Sequence, residues 1–350
     1  MGGAGAGETS RARVVFMGTP EYAVPSLRLL LDTARVVAVF TQPDRPSGRG
    51  RALRESAVKA LARAAGVPVY QPSSLRADAS AVGVLQDLRP DLVVVAAYGL
   101  LLPPAALRVP RHGCLNVHAS LLPRWRGASP VHHAIAAGDA RTGSTILLLD
   151  EGLDSGPILA QEALSVGPHE TCGQLTARLA VLGAGLLIRT MPAWLAGAVP
   201  PLAQDERLAT AAPRLTAGDG LIDWTLAAER LARHVRAMNP WPGARAVLPD
   251  GRRLKVHAAT AWSRSASGAA GNGPSAAPPG TVLAGDGRPA VVCGEGVLLL
   301  DEVQLEGRRA VAGDAFLRGM PGLAGTRLGA AEPMGPRPAA SRPDRARVGR

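Results

Sequence analysis

The stretch RVVFMGTPEYAVPSLRLLLDTARVVAVF, residues 13 to 40, decides the fold class. It opens on a branched apolar run at 13 to 17 and closes on another at 36 to 40, and neither run alternates apolar with polar residues. A strand that is apolar on both faces is buried on both, as parallel strands are when helices cover the sheet. Between the two runs, Leu27, Leu30 and Leu31 recur at helical spacing, so the unit reads strand, helix, strand. The same texture continues at 67 to 70 and 92 to 97, with Val58, Leu61 and Ala62 marking a further helix. The pattern predicts an α/β fold built on an open parallel sheet with helices on both sides.

Residues 114 to 118 and 144 to 149 supply two more strands. Ser129 and Pro130 cap and open a helix through Ala137, and Thr171 with Gln174 forms a capping box ahead of Leu175, Leu179, Leu182 and Leu186. These elements define a first domain over 13–197, after a flexible N-terminus at 1–12. Residues 198–215 are rich in Pro and Ala and are expected to form a linker. After a short helix at 226 to 235, brief strands at 244 to 248, 252 to 260, 281 to 284, 289 to 293 and 297 to 305 are broken by glycine turns. That spacing predicts a small β-barrel domain over 216–328. Residues 263–280 read as a low-complexity loop and 329–350 as a disordered basic tail.

With 350 residues, 47% of them hydrophobic, the chain has material for two cores. No run of 18 or more apolar residues escapes interruption by a charge, Gly or Pro, so no membrane-spanning helix is expected. The first eleven residues lack the basic start and apolar centre of a secretory signal. Cys114, Cys172 and Cys293 are far apart and show no CxxC spacing, which points to reduced thiols and a cytoplasmic protein. The formal charge is +11, carried almost wholly by arginine, since Lys59 and Lys255 are the only lysines. Guanidinium groups bind phosphates bidentately and displace counterions, so the excess suits a polyanionic partner. A coding bias toward Ala, Gly, Pro and Arg gives the same total.

Chemistry concentrates in NVHASLLPRWRG, residues 116 to 127. Residues two apart in a strand share a face, so Asn116 and His118 project together with Cys114 behind them. An isolated N-x-H has an ordinary structural reading, with the Asn capping a turn and the His satisfying a backbone group. Here, however, the pair closes a strand of a parallel sheet, where ligand crevices form. Asp154 lies 36 residues beyond His118 in a glycine-flanked loop that could fold back onto the imidazole. An amide, an imidazole and a carboxylate suit attack of an amine on a carbonyl-level carbon: two donors for the developing oxyanion and a base for the departing proton. No GxSxG elbow is present, and Cys114 reads as a core thiol rather than a nucleophile. His112, Cys114 and His118 would offer a metal three ligands, but no fourth has support, and His132 and His133 diverge by about 100° on a helix. No metal is expected.

The N-x-H pair, the SLLP turn and the Asp of GLDSG together resemble the folate-dependent formyltransferase family. VFMGTPEYAVPSL, TQPDRPSGRGRAL and VVAAYGLLLP are similar to its flanking blocks, and IDW (222 to 224) with RAMNPWPGA (236 to 244) extends the likeness over roughly 13 to 328. TQPDRPSGRG and NPWPGA point to the tRNA-directed branch. The resemblance implies a Rossmann-like first domain and an OB-like barrel as the second, with Asn116, His118 and Asp154 catalytic. It implies that Ser120, Leu121, Leu122 and Pro123 line the site of a 10-formyltetrahydrofolate donor, whose formyl group passes to the α-amine of methionyl initiator tRNA without metal or ATP. By the same resemblance Arg45, Arg49 and Arg51 contact tRNA; without it, their segment reads as a solvated basic loop. Arg-Ala after GRG, and APRL at 212 to 215, depart from lysines usual in the family. Trp241 between two prolines reads as a packing wedge. Two other readings remain open: a formyltransferase of an amino sugar or glycinamide ribonucleotide, and a catalytically inactive tRNA-binding module.

Overall fold

The computed structural model describes residues 12–47, 52–262 and 277–329. The expected low-complexity loop lies largely outside these residues, as do the N-terminal segment before Ala12 and the tail after Gly329. The chain forms two compact units, Met1–Leu215 with Arg233–Pro240, and Thr216–Ala232 with Trp241–Arg350.

The first unit is built on strands β1 (Arg13–Gly18), β2 (Arg35–Phe40), β5 (Val69–Tyr70), β6 (Leu92–Ala96), β7 (Cys114–His118), β8 (Arg141–Leu148) and β9 (Ile158–Ser165). A separate hairpin is formed by β3 (Arg45–Ser47) and β4 (Ala52–Arg54). The sheet order is β5-β2-β1-β6-β7-β8-β9. The first five strands in that order are parallel, and β1 is paired on both sides, the chain leaving it for β2 on one side and returning from β5 to β6 on the other, the kind of switch point beside which crevices form beyond the strand ends.

The expectation of a wholly parallel sheet needs one correction. β8 runs antiparallel to β7, and β9 antiparallel to β8. β9 has no counterpart in the sequence reading because its ILAQEALS pattern buries one face and wets the other, as an edge strand does, and carries no branched run.

Helices cover both faces. On one side α1 (Val24–Thr33), α2 (Ala57–Ala64) and the 24-residue α6 (Cys172–Leu195) pack Leu27, Leu30, Val58, Leu186, Leu187 and Met191 against Val14, Phe16, Leu92, Val94, Leu115 and Val117. On the other, α3 (Ala79–Asp87) and α4 (Pro104–Leu107) bury Leu85 and Ala106 with Met17, Phe40, Val93, Val95, Tyr98 and Cys114. Between α4 and α6, α5 spans Pro130–Ala137 and ends at left-handed Gly138. The Thr171–Gln174 capping box starts α6. By length and composition α6 is apolar enough to cross a membrane, but Leu175, Leu179, Gly183 and Leu187 on one side of it are buried. Gly183 sets the depth of that packing, since a Cβ there would lie 2.7 Å from Val117 Cγ1, inside van der Waals contact.

The second unit carries an antiparallel sheet of β10 (Ala244–Val247), β11 (Arg253–Trp262), β14 (Val297–Leu305), β13 (Pro289–Val292) and β12 (Val282–Ala284), in that order. β15 (Ala310–Ala312) pairs with β14. Helix Gly313–Arg318 follows it and buries Phe316.

Candidate active site

β7 aims the central residues. Its odd positions Leu115 and Val117 enter the core beneath α6, so Cys114, Asn116 and His118 share the opposite face. Asn116 lies beside Val95 of β6, and His118 beside Thr145 of β8. Cys114 is 1% exposed, and burial pushes its thiol up to about 12, so it stays protonated and inert at neutral pH.

Asp154 reaches this face from the loop between β8 and β9. Asn116 Nδ2 donates to Asp154 Oδ1 at 3.1 Å, and the backbone N–H of Gly127 donates to Oδ2 at 2.9 Å. His118 Nδ1 stands 3.6 Å from the same Oδ2. Asp154 and His118 are both buried. The structure thus gathers the three residues named from the sequence into one cluster. Asp154 itself adopts a left-handed backbone (φ +51°), a region that Asp tolerates better than most side chains but that its surroundings must hold.

The imidazole is oriented from its far side. His118 Nε2 lies 2.9 Å from the Trp125 carbonyl oxygen, which can only accept, so Nε2 carries a proton and Nδ1 is the nitrogen turned toward Asp154. Trp125, also left-handed (φ +65°), is anchored by Nε1 donating to Asp139 at 2.8 Å, by stacking on His133, and by the Arg124 guanidinium 4.3 Å above its ring. Arg124 binds Asp139 bidentately at 2.9 and 2.7 Å. Burial pushes the Asp139 carboxyl up, but the hydrogen bonds from Arg124 and Trp125 outweigh it and hold the group below its ordinary range.

The SLLP turn borders the cluster. Ser120 is buried and donates to the Arg124 carbonyl at 2.6 Å, and Leu122 is buried against Leu147 and Ile158. Leu121 and Pro123 are half-buried. Two residues that spacing did not single out hold this turn. Thr145 Oγ1 donates to Ser120 O and accepts from Leu122 N, while Gln161 donates to Leu122 O and to Thr145. Neither has a local signature; Gln161 sits on the half-wet strand β9 that periodicity missed.

Arg45 is exposed on the β3–β4 hairpin and pairs in register with Arg54, also exposed. Arg49 and Arg51 lie outside the described residues. Like charges directly opposite on two strands repel. Trp241, read from the sequence as a packing wedge, is 54% exposed. Among the described residues, no group of three His, Cys, Asp or Glu side chains is arranged to hold a metal ion. An open groove lined by Arg89, Arg108 and Arg111 lies before the starts of β6 and β7, at the opposite end of these strands from His118.

Residues 12–191 match the family model described as formyl transferase, and residues 214–321 that of the formyl transferase C-terminal domain. A curated methionyl-tRNA formyltransferase of Stenotrophomonas maltophilia is 49% identical over 309 residues, 87% of this chain and 96% of that protein. One from Myxococcus xanthus is 47% identical over 311 residues, 89% and 96% of the two chains. Among solved structures, an N-formyltransferase of Helicobacter canadensis in complex with folinic acid and dTDP-3-aminofucose superposes with a TM-score of 0.58 at 13% identity, covering 82% of this chain and 98% of that one, which speaks to the fold alone. With two family models spanning most of its length, and relatives near half identity along nearly all of theirs, the chain belongs to the formyl transferase family.

Proposed function

We propose that this protein transfers the formyl group of 10-formyltetrahydrofolate to the α-amine of methionine esterified to initiator tRNA, in translation initiation in the cytoplasm. The curated relatives named for that activity support the reading along nearly their whole length. The observation that carries it is the Asp154 carboxylate, hydrogen-bonded to Asn116 and facing His118 Nδ1.

The chemistry follows from what each group has free. One Asn116 amide hydrogen is given to Asp154, and the second remains to meet an oxyanion. As the amine nitrogen bonds to the formyl carbon and the tetrahedral intermediate forms, Asp154 accepts the amine's proton. His118 Nδ1, when protonated, delivers a proton to the tetrahydrofolate nitrogen as its bond to the formyl carbon breaks. Proton return from Asp154 to His118 across the 3.6 Å gap resets the pair. The protein supplies no covalent nucleophile, and the scheme uses neither metal nor ATP.

The donor is written as a substrate. Half-buried Leu121 and Pro123, and Leu153 beside Asp154 at 61% exposed, offer the solvent-reached apolar surface that a flat pterin ring covers. Ser120 and Leu122 would shape that wall from within. On the tRNA side, Arg45, with Arg49 and Arg51 further along its segment, would hold the acceptor stem, and the Arg45–Arg54 pair favours a phosphate there. We take 13–197 as the body of the catalytic domain, 198–215 as a segment bonded onto it as well as leading on from it, and the antiparallel sheet within 216–328 as an OB-like barrel giving a second tRNA surface.

The test offers methionyl initiator tRNA and an amino-sugar nucleotide separately with 10-formyltetrahydrofolate, and reads each product by mass spectrometry. A gain of one formyl group on the aminoacyl moiety is expected. Formylation of the sugar alone would overturn the assignment.

A further inference from the structure

The segment after α6 does more than connect. Leu202 bridges Ile158 with paired backbone hydrogen bonds of 2.7 and 2.9 Å, and Arg126 exchanges backbone bonds with Thr210 and Ala212 at 2.8 and 2.7 Å. Between these two attachments lies Gln204. Its carboxamide nitrogen donates to the carbonyl oxygens of Asp154 and of Gly156, both at 2.7 Å. Its carboxamide oxygen accepts from Arg126 Nε at 3.0 Å and Nη2 at 2.9 Å. The same guanidinium binds Glu206 at 2.8 Å through Nη1 and again through Nη2. A guanidinium only donates, so it fixes which end of the amide faces it and turns both amide hydrogens onto the Asp154 loop.

Asp154 is therefore held at both ends: its side chain by Asn116 and the Gly127 N–H, its carbonyl by Gln204. Gly156, the second anchor, cannot carry a side chain, because a Cβ there would overlap the Leu148 carbonyl oxygen. A left-handed residue whose carboxylate must stay 3.6 Å from an imidazole has few ways to keep that geometry without such a hold.

We infer that Gln204, oriented by Arg126, is a positioning residue that sets the Asp154 carboxylate against His118. This rests on the reading of Asp154 as part of the catalytic cluster. The strap acts on geometry alone and touches no substrate.

The experiment measures kcat and both KM values for Gln204→Ala and the near-isosteric Gln204→Glu in the full chain, alone and combined with Asp154→Ala. The Glu variant keeps acceptors for Arg126 but turns an oxygen on the Asp154 and Gly156 carbonyls. Misplacement of a reacting group by about 1 Å costs up to about 100-fold, so each single variant should lower kcat about 10- to 100-fold with KM values changed less than about threefold. With Asp154 already removed, either change should lower kcat by less than about twofold, because nothing remains to position. A merely structural role predicts the same loss in both backgrounds, and that result would overturn the inference, as would parental kcat in Gln204→Glu. Full activity in Asp154→Ala alone would instead remove the catalytic reading of Asp154, a separate failure.

Discussion

Replacing Asp154 by Asn keeps the shape of the side chain and removes its charge. At the observed 3.6 Å, a carboxylate and an imidazolium attract by about 5 kcal/mol in an effective dielectric of about 20. The substitution removes that attraction together with the acceptor of the amine's proton, and since loss of a positioned base costs about 100- to 10,000-fold, the chemical step slows by roughly three orders of magnitude. Folding should suffer far less. The Asn oxygen can still accept one of the two donors, leaving either the Asn116 amide or the Gly127 N–H unpaired, at about 1–3 kcal/mol. Single-turnover formyl transfer, with enzyme in excess over methionyl initiator tRNA, isolates the step, and thermal unfolding reports the stability. A roughly thousandfold loss of rate with tRNA binding within a few fold is expected. A single-turnover rate within threefold of the parent would show that the carboxylate does not act on His118, and the proton route proposed here would fail.

Other consequences are open to measurement. Arg45→Ala and Arg54→Ala should each raise KM for tRNA and flatten the salt dependence of its binding by about one unit of slope, with donor KM unchanged; unaltered salt slopes would contradict a phosphate between them. Because its carboxyl is held below the ordinary value of 3.8, Asp139 contributes stability that is full above that value and is lost as pH falls through the lower folded-state value. The gap in stability between the parent and Asp139→Asn should thus be constant from about pH 8 to 5 and shrink below about pH 4; a constant gap down to pH 2 would count against the network. Cys114, with its thiol raised to about 12, should resist iodoacetamide at pH 8 in the native protein and react once unfolded. Native alkylation at the unfolded rate would mean that β7 opens readily.

Legibility from sequence followed burial. β1, β2 and β6 were readable because their apolar runs are unbroken and mostly covered on both faces, and α6 because four leucines and a capping box mark it. β9 escaped because it is wet on one face and its alternation includes Gln161 and Glu162, whereas β8 was found only from Ser144 onward since its first residues Arg141, Thr142 and Gly143 carry no apolar signal. Asn116 and His118 stood out as two polar residues on a buried strand. Asp154 could be named but not placed, since its approach depends on a left-handed turn and on hydrogen bonds from Gly127 and Gln204 that local patterns do not encode. Trp125 acts through its own carbonyl oxygen, and Thr145, Gln161 and Gln204 through backbone atoms of distant segments.

The attachment of Leu202, Gln204, Thr210 and Ala212 to the first unit bears on how this polypeptide can be dissected. A fragment stopping at residue 197 would retain every strand of the seven-stranded mixed sheet yet leave the Ile158 backbone, the Arg126 guanidinium and the Asp154 carbonyl exposed where partners had been. One stopping at Leu215 keeps them covered, and one reaching Pro240 also keeps Arg233–Pro240, the remaining part of the compact unit. The proper cut for a minimal catalytic piece therefore falls after the proline-rich stretch, and insertions within that stretch would be felt at the carboxylate.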